Sequence, residues 1–187
     1  MYYNNLIKIG YYEGIIPDVS NIILKEHILK TKQPYLKETP MDGTRYEDET
    51  FPTHPEFDKI IKHLRNQWMF RFKEALVCID YWAHIHDKNM STLTHHHVNK
   101  KDYEDIYHMS GVYYVQVPKD SGQLVLEYPI NQFTRGQYYL TPEPFKFYLF
   151  PSSMSHHVTR NHSDVQRISI SMNFELRKNP IRVLNEN

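Results

Sequence analysis

The chain has 187 residues and balances 22 Lys and Arg against 22 Asp and Glu, which suits one domain with a single sizeable core and hardly two. Neutrality without a long like-charge run disfavours a protein that tracks a phosphate backbone, so nucleic acid is not the expected partner. A lone cysteine, Cys78, cannot close an internal disulfide; there is no apolar run of about 18 residues and no signal-peptide centre in MYYNNLIKIGYY, so the expected setting is the cytoplasm without a membrane partner.

Residues 1–73 read as a helical N-terminal part. A first helix is expected from Asp18 or Ser20 to about Lys32, with Val19, Ile22, Ile23 and Leu29 on one side. The stretch 33–52 is rich in Pro, Gly and charge and reads as a long surface connection, either a lid or a tether. Thr53 and Glu56 then have capping-box spacing ahead of a stronger helix, in which Phe57, Ile60, Ile61, Leu64 and Trp68 recur at helical intervals and should pack against a sheet. From Glu74 to residue 177 the pattern changes to strands: ALVCIDYWAHI, HMSGVYYVQVP, GQLVLEYP, QYYLTP, FKFYLFP, HHVTR and QRISISMNFEL. Residues 178–187 form a tail. Short strands at regular spacing after a helical segment imply a mainly β fold, a small sandwich or barrel carrying helices on one side.

Histidine placement carries the chemistry. Of 12 histidines, nine fall in two groups: His84, His86, His95, His96, His97 and His108, then His156, His157 and His162. His95 and His97 share one face of an extended segment and, with His156, would complete a three-ligand site with open positions suited to non-haem Fe(II). The last strand alternates Arg167, Ser169, Ser171, Asn173 with Ile168, Ile170, Met172, Phe174, so one of its faces is polar. In a hairpin turning at NHSD, residue 156 would pair with 169, leaving Arg167 a diagonal step from His156, on the order of 7–8 Å. A metal and a guanidinium so arranged could hold the two ends of a small dicarboxylate, with Ser169 adding a hydroxyl.

The motifs H-x-H, S-G-V-Y-Y, F-P-x-x-x-x-H and R-I-S-I-x-x-N, in that order over about residues 75 to 176, resemble the 2-oxoglutarate and Fe(II)-dependent oxygenase superfamily, in its prolyl-hydroxylase-like branch of bacteria and phages. The resemblance implies a double-stranded β-helix, the cupin-like jelly roll, with Fe(II) at one open end. It makes His95 the first metal histidine, His156 the distal one, Arg167 the partner of the distal carboxylate of 2-oxoglutarate, and Tyr114 and Ser169 its neighbours. Dioxygen would take the remaining position, and ascorbate would serve as an accessory reductant. Most of the superfamily carries Asp or Glu where this chain has His97, a change that leaves the iron one unit more positive. A shifted alignment would instead use His97 with Asn99, or bring Asp102 or Asp105 in from the loop 99–109, which resembles an extended substrate entrance.

The leading expectation is therefore a dioxygenase that couples decarboxylation of 2-oxoglutarate to succinate with hydroxylation of a C–H bond. Its substrate would be a small molecule or a prolyl or other peptidyl residue; the oligomeric state stays open. Two other readings compete: a three-histidine cupin-type dioxygenase that uses no 2-oxoglutarate, and a non-catalytic jelly-roll binding module. Only the first produces succinate.

Overall fold

A computed structural model describes residues 10–31, 44–45, 53–97, 108–130 and 133–178. Its elements in chain order are β1 (Tyr12–Ile15), α1 (Asn21–Thr31), β2 (Thr44–Arg45), α2 (Pro55–Phe72), β3 (Glu74–His86), β4 (Thr92–His95), β5 (Met109–Gln116), β6 (Leu124–Pro129), β7 (Arg135–Leu140), β8 (Lys146–Pro151), β9 (Ser155–Val158) and β10 (Arg167–Lys178). The strands form a six-stranded sheet, ordered β1-β8-β5-β10-β3-β2, and a four-stranded sheet, ordered β4-β9-β6-β7. All pairings are antiparallel. This is the expected mainly β jelly roll with helices on one sheet.

The alternation of β10 decides which face goes where. Ile168, Ile170, Met172 and Phe174 are buried with Leu24 and Ile28 of α1 and Phe57, Ile60 and Leu64 of α2, each such side chain contributing roughly 1.5–3 kcal/mol. A smaller cluster, including Tyr114, Leu126, Leu140, Tyr148, Phe150 and Met154, joins the two sheets. Asn21 fastens α1 to the large sheet: its Oδ1 accepts from the Tyr113 hydroxyl at 2.8 Å and its Nδ2 donates to the Tyr114 carbonyl at 3.3 Å.

Several local expectations need correction. On α1, Leu24 and Ile28 face the core, whereas Ile22 and Ile23 are exposed. On α2, His54 rather than Thr53 is the cap, its Nδ1 accepting from the Glu56 N–H at 3.2 Å, while the Glu56 carboxylate accepts from the Ser20 N–H at 2.6 Å and so ties the two helices' starts together. The stretch 1–73 also supplies two strands, β1 on β8 and β2 on β3. Of the connection 33–52 only Thr44 and Arg45 are described; residues 99–107 of the entrance loop and 179–187 of the tail lie outside the described residues. Among the described residues no helix is long and apolar enough to cross a membrane.

The largest correction concerns the hairpin expected between β9 and β10. They do not pair: β9 lies between β4 and β6 in the small sheet, and β10 lies between β3 and β5 in the large one. The turn chemistry of NHSD is real, with the Ser163 N–H bonded to Asn161 Oδ1 at 2.9 Å and the Val165 N–H to Ser163 Oγ at 3.1 Å. It is used to cross between sheets, because Asn161 Nδ2 donates to the His86 carbonyl and its backbone N–H to the Met90 carbonyl, both at 2.9 Å.

Candidate active site

Strand pairing places His95 opposite His156 across the β4–β9 ladder, with ring centres 4.3 Å apart. His97, two residues beyond, lies 5.0 Å from the His95 ring and is stacked 5.1 Å from that of His156. One ligand nitrogen from each of the three rings falls within 4.8 Å of the others. His95 Nδ1 donates to the Leu93 carbonyl at 2.7 Å and His156 Nδ1 to the Met154 carbonyl at 2.9 Å. A ring held by its Nδ1–H offers a lone pair at Nε2, the form that ligates metal. Burial, reinforced by His95, pushes the pKa of His156 down to about 3, so it is neutral at physiological pH.

Arg167 enters the same cavity from the opposite sheet, together with Ser169, Tyr114, His86 and the three histidines. Its register partner on β3 is His86, and Ser169 sits between His84 and Tyr114. Arg167 is 2% exposed, yet no carboxylate pairs with its guanidinium among the described residues. Nη1 donates to the Ser121 carbonyl at 2.8 Å, while Nε and Nη2 are buried without a partner, as are His86 Nδ1 and Ser121 Oγ. A buried cation with two unspent donors is costly unless an anion meets it. Burial lowers its pKa to about 10, which still leaves it charged at neutral pH. The same burial, with Arg167 and His84 nearby, pushes His86 well below its usual value, and burial raises that of Tyr114.

All six residues expected at the site therefore converge: His95, His97, His156, Arg167, Ser169 and Tyr114 line one cavity. The route differs from expectation, since Arg167 faces the histidines across the gap between sheets rather than along a hairpin. Asn99, Asp102 and Asp105, the alternative ligands, lie outside the described residues. His84, His86, Trp82 and Ser110 also line the cavity without having been assigned to it from the sequence; alternation of Trp82, His84 and His86 along β3 was the available signal.

A family described as "Putative 2OG-Fe(II) oxygenase" matches residues 80–173. The chain belongs to this family. The oxygenase thus takes Fe(II), 2-oxoglutarate and dioxygen, and family membership favours the 2-oxoglutarate-consuming reading over the two that competed with it. No curated protein matches the chain. Among solved structures, the viral collagen prolyl hydroxylase of Paramecium bursaria Chlorella virus-1, in complex with 2-oxoglutarate, superposes with a TM-score of 0.61 at 14% identity, covering 88% of this chain and 94% of that one. A Pseudomonas putida prolyl-4-hydroxylase gives 0.64 at 16% identity over 91% and 94%. The 2-oxoglutarate-dependent epimerase SnoN from nogalamycin biosynthesis gives 0.67 at 12% identity over 89% and 78%. These likenesses establish the shared fold.

The residues present fit both groups. Three imidazoles with converging nitrogens suit Fe(II) with positions to spare, and the unspent Arg167 donors suit one carboxylate of a dicarboxylate.

Proposed function

We propose that His95, His97 and His156 hold the iron, and that Arg167, aided by Tyr114 and Ser169, holds the distal carboxylate of 2-oxoglutarate. The observation that carries this reading is the pairing, in one cavity, of three converging imidazoles with a buried guanidinium whose Nε and Nη2 have no partner among the described residues. Bound iron with its cosubstrates supplies the oxidising power by which 2-oxoglutarate becomes succinate and a substrate C–H bond is hydroxylated. The chain's own residues bind and orient. Met154 and Leu93 carbonyls fix two of the rings, Ser121 aims the guanidinium, and Leu124, Phe150 and Val158 wall the cavity with apolar surface that excludes water.

The substrate proposed is a peptidyl residue, prolyl first. Support comes from the fold shared with prolyl hydroxylases, one of which, from Trichoplax adhaerens, was solved with a hypoxia inducible factor peptide (TM-score 0.59, 14% identity). The reading takes residues 1–187 as one oxygenase domain acting in the cytoplasm. Its test is anaerobic titration of 2-oxoglutarate into Mn(II)-loaded protein, with Arg167→Ala as control, followed by succinate release with proline-containing peptides against free amino acids. Metal-dependent binding that is lost in the variant supports the assignment. Binding unchanged in the variant, or absent with metal loaded, overturns it; succinate release driven only by free amino acids overturns the peptidyl substrate.

A further inference from the structure

The motif R-I-S-I-x-x-N ends in Asn173, a residue that the reading above leaves without a task. Asn173 is 1% exposed, and its Nδ2 lies 3.1 Å from His97 Nδ1. Its Oδ1 accepts from the Ser110 hydroxyl at 2.9 Å, and Ser110 Oγ lies 3.0 Å from Ser152 Oγ. Ser110 and Ser152 are buried too, and the Ser152 carbonyl accepts the His97 backbone N–H at 3.0 Å. Trp82 stacks on the His97 ring at 5.5 Å. His97 is thus held from three sides, and its Nδ1 faces an amide rather than a carbonyl, unlike His95 and His156.

That difference has a chemical consequence. An amide Nδ2 only donates, so in this orientation His97 Nδ1 accepts and the ring proton sits on Nε2. A ring so protonated has no lone pair at Nε2 to give a metal. A half-turn of the Asn173 amide about its Cβ–Cγ bond exchanges the two ends, which are nearly the same size. Then His97 Nδ1–H donates to Oδ1, Nδ2–H donates to Ser110 Oγ, and the Ser110 O–H donates to Ser152 Oγ. Each of these three donors has an acceptor, and Nε2 carries a lone pair.

We infer that Asn173 is the positioning residue that sets the tautomer of His97, its amide taking one orientation for each tautomer, with Ser110 and Ser152 completing the hydrogen bonds in both. The inference rests on His97 being the third ligand. An aspartate at position 97, the superfamily's usual type of ligand, has no ring tautomer to set. The Asn173 amide has this task only because an imidazole stands at position 97, where it takes the place that backbone carbonyls take at His95 and His156.

The test is a four-protein cycle on the full chain, titrating Mn(II) into wild type, Asn173→Leu, His97→Asp and the double variant. Asn173→Leu should weaken Mn(II) binding about 10–100-fold in the wild-type background and less than about twofold in the His97→Asp background. No loss in wild type, or the same loss in both backgrounds, overturns the inference, the latter result marking a merely structural residue. Independently, long-range proton–nitrogen NMR of zinc-loaded, histidine-labelled protein should show the His97 proton on Nδ1, slow to exchange in wild type and fast in Asn173→Leu. Equal protection in the two proteins overturns the inference without need of the His97→Asp background. A fifth protein, His97→Ala, titrated beside the cycle keeps failure of the underlying reading distinct: unchanged Mn(II) affinity there would remove His97 from the ligand set.

Discussion

Replacing Arg167 by methionine should make the protein more stable in the absence of 2-oxoglutarate while removing its affinity for that cosubstrate. Burial brings the guanidinium from its usual value near 12.5 to about 10, a desolvation cost of roughly 3 kcal/mol. Against it stands one hydrogen bond to the Ser121 carbonyl at 2.8 Å, worth about 1.5–3 kcal/mol for a charged donor. Methionine fills similar space without the charge, so the difference favours the variant by about 1 kcal/mol, a rise of about 2–4 °C in Tm. Binding moves the other way. Nε and Nη2 would each give a charge-assisted bond to the distal carboxylate, and their loss costs about 3–6 kcal/mol, a weakening of about 10²–10⁴-fold. Thermal unfolding without cosubstrate, beside anaerobic titration of 2-oxoglutarate into Mn(II)-loaded protein, reads both. A variant that melts several degrees lower without ligand would refute the argument, because Arg167 would then be satisfied inside the protein.

Acid should destabilise the metal-stripped chain. Burial keeps His156 neutral down to about 3 in the folded state, whereas in the unfolded chain it takes up a proton near 6.5. Its contribution is fully present above about pH 6.5 and falls as pH drops toward 3, by about 2 kcal/mol at pH 5. His86 acts in the same direction; urea midpoints at pH 7 and pH 5 in chelator check this, and equal midpoints would contradict it. Gly122, at φ +84°, admits no side chain, since a Cβ would run into the Thr159 and Arg160 carbonyls. Gly122→Ala should cost about 2 kcal/mol or more and, by shifting neighbouring Ser121, weaken 2-oxoglutarate binding as well; calorimetry and the same titration measure the two losses. His97→Asp should bind Mn(II) on the order of tenfold or more tightly without cosubstrate, because three neutral imidazoles leave the ion's double charge uncompensated. Comparable affinities in a Mn(II) titration would count against His97 as a ligand.

What the sequence made legible was periodic. The two-residue repeat of β10 sorted Ile168, Ile170, Met172 and Phe174 onto the helices and Arg167 and Ser169 into the cavity. His95 and His97 fell on one side for the same reason. What it hid was partition between sheets. Asn161 and Ser163 make the turn their types promise, but whether the flanking strands then pair depends on partners as distant as His86 and Leu126. Helix faces failed where apolar residues ran together: Ile22, Ile23 and Leu24 are consecutive, and only docking against β5 selects Leu24. The Asn173–Ser110–Ser152 chain joins β10, β5 and the turn after β8, and no local pattern announces such a junction.

The crossover at Asn161 has a further consequence. His156 and Arg167 are eleven positions apart in sequence, yet they stand on opposite layers of the sandwich. Packed sheets keep a spacing of about 10 Å, fixed here by the apolar contacts of Leu126, Tyr148 and Phe150. On the proposed assignment, the packing between the sheets would set how far the iron-binding rings stand from the carboxylate clamp. The fold would then act as a caliper for the length of its cosubstrate. Selectivity for chain length would then reside in packing between the sheets, and trimming Phe150, which walls the cavity with its ring 4.8 Å from that of His156, should blur it.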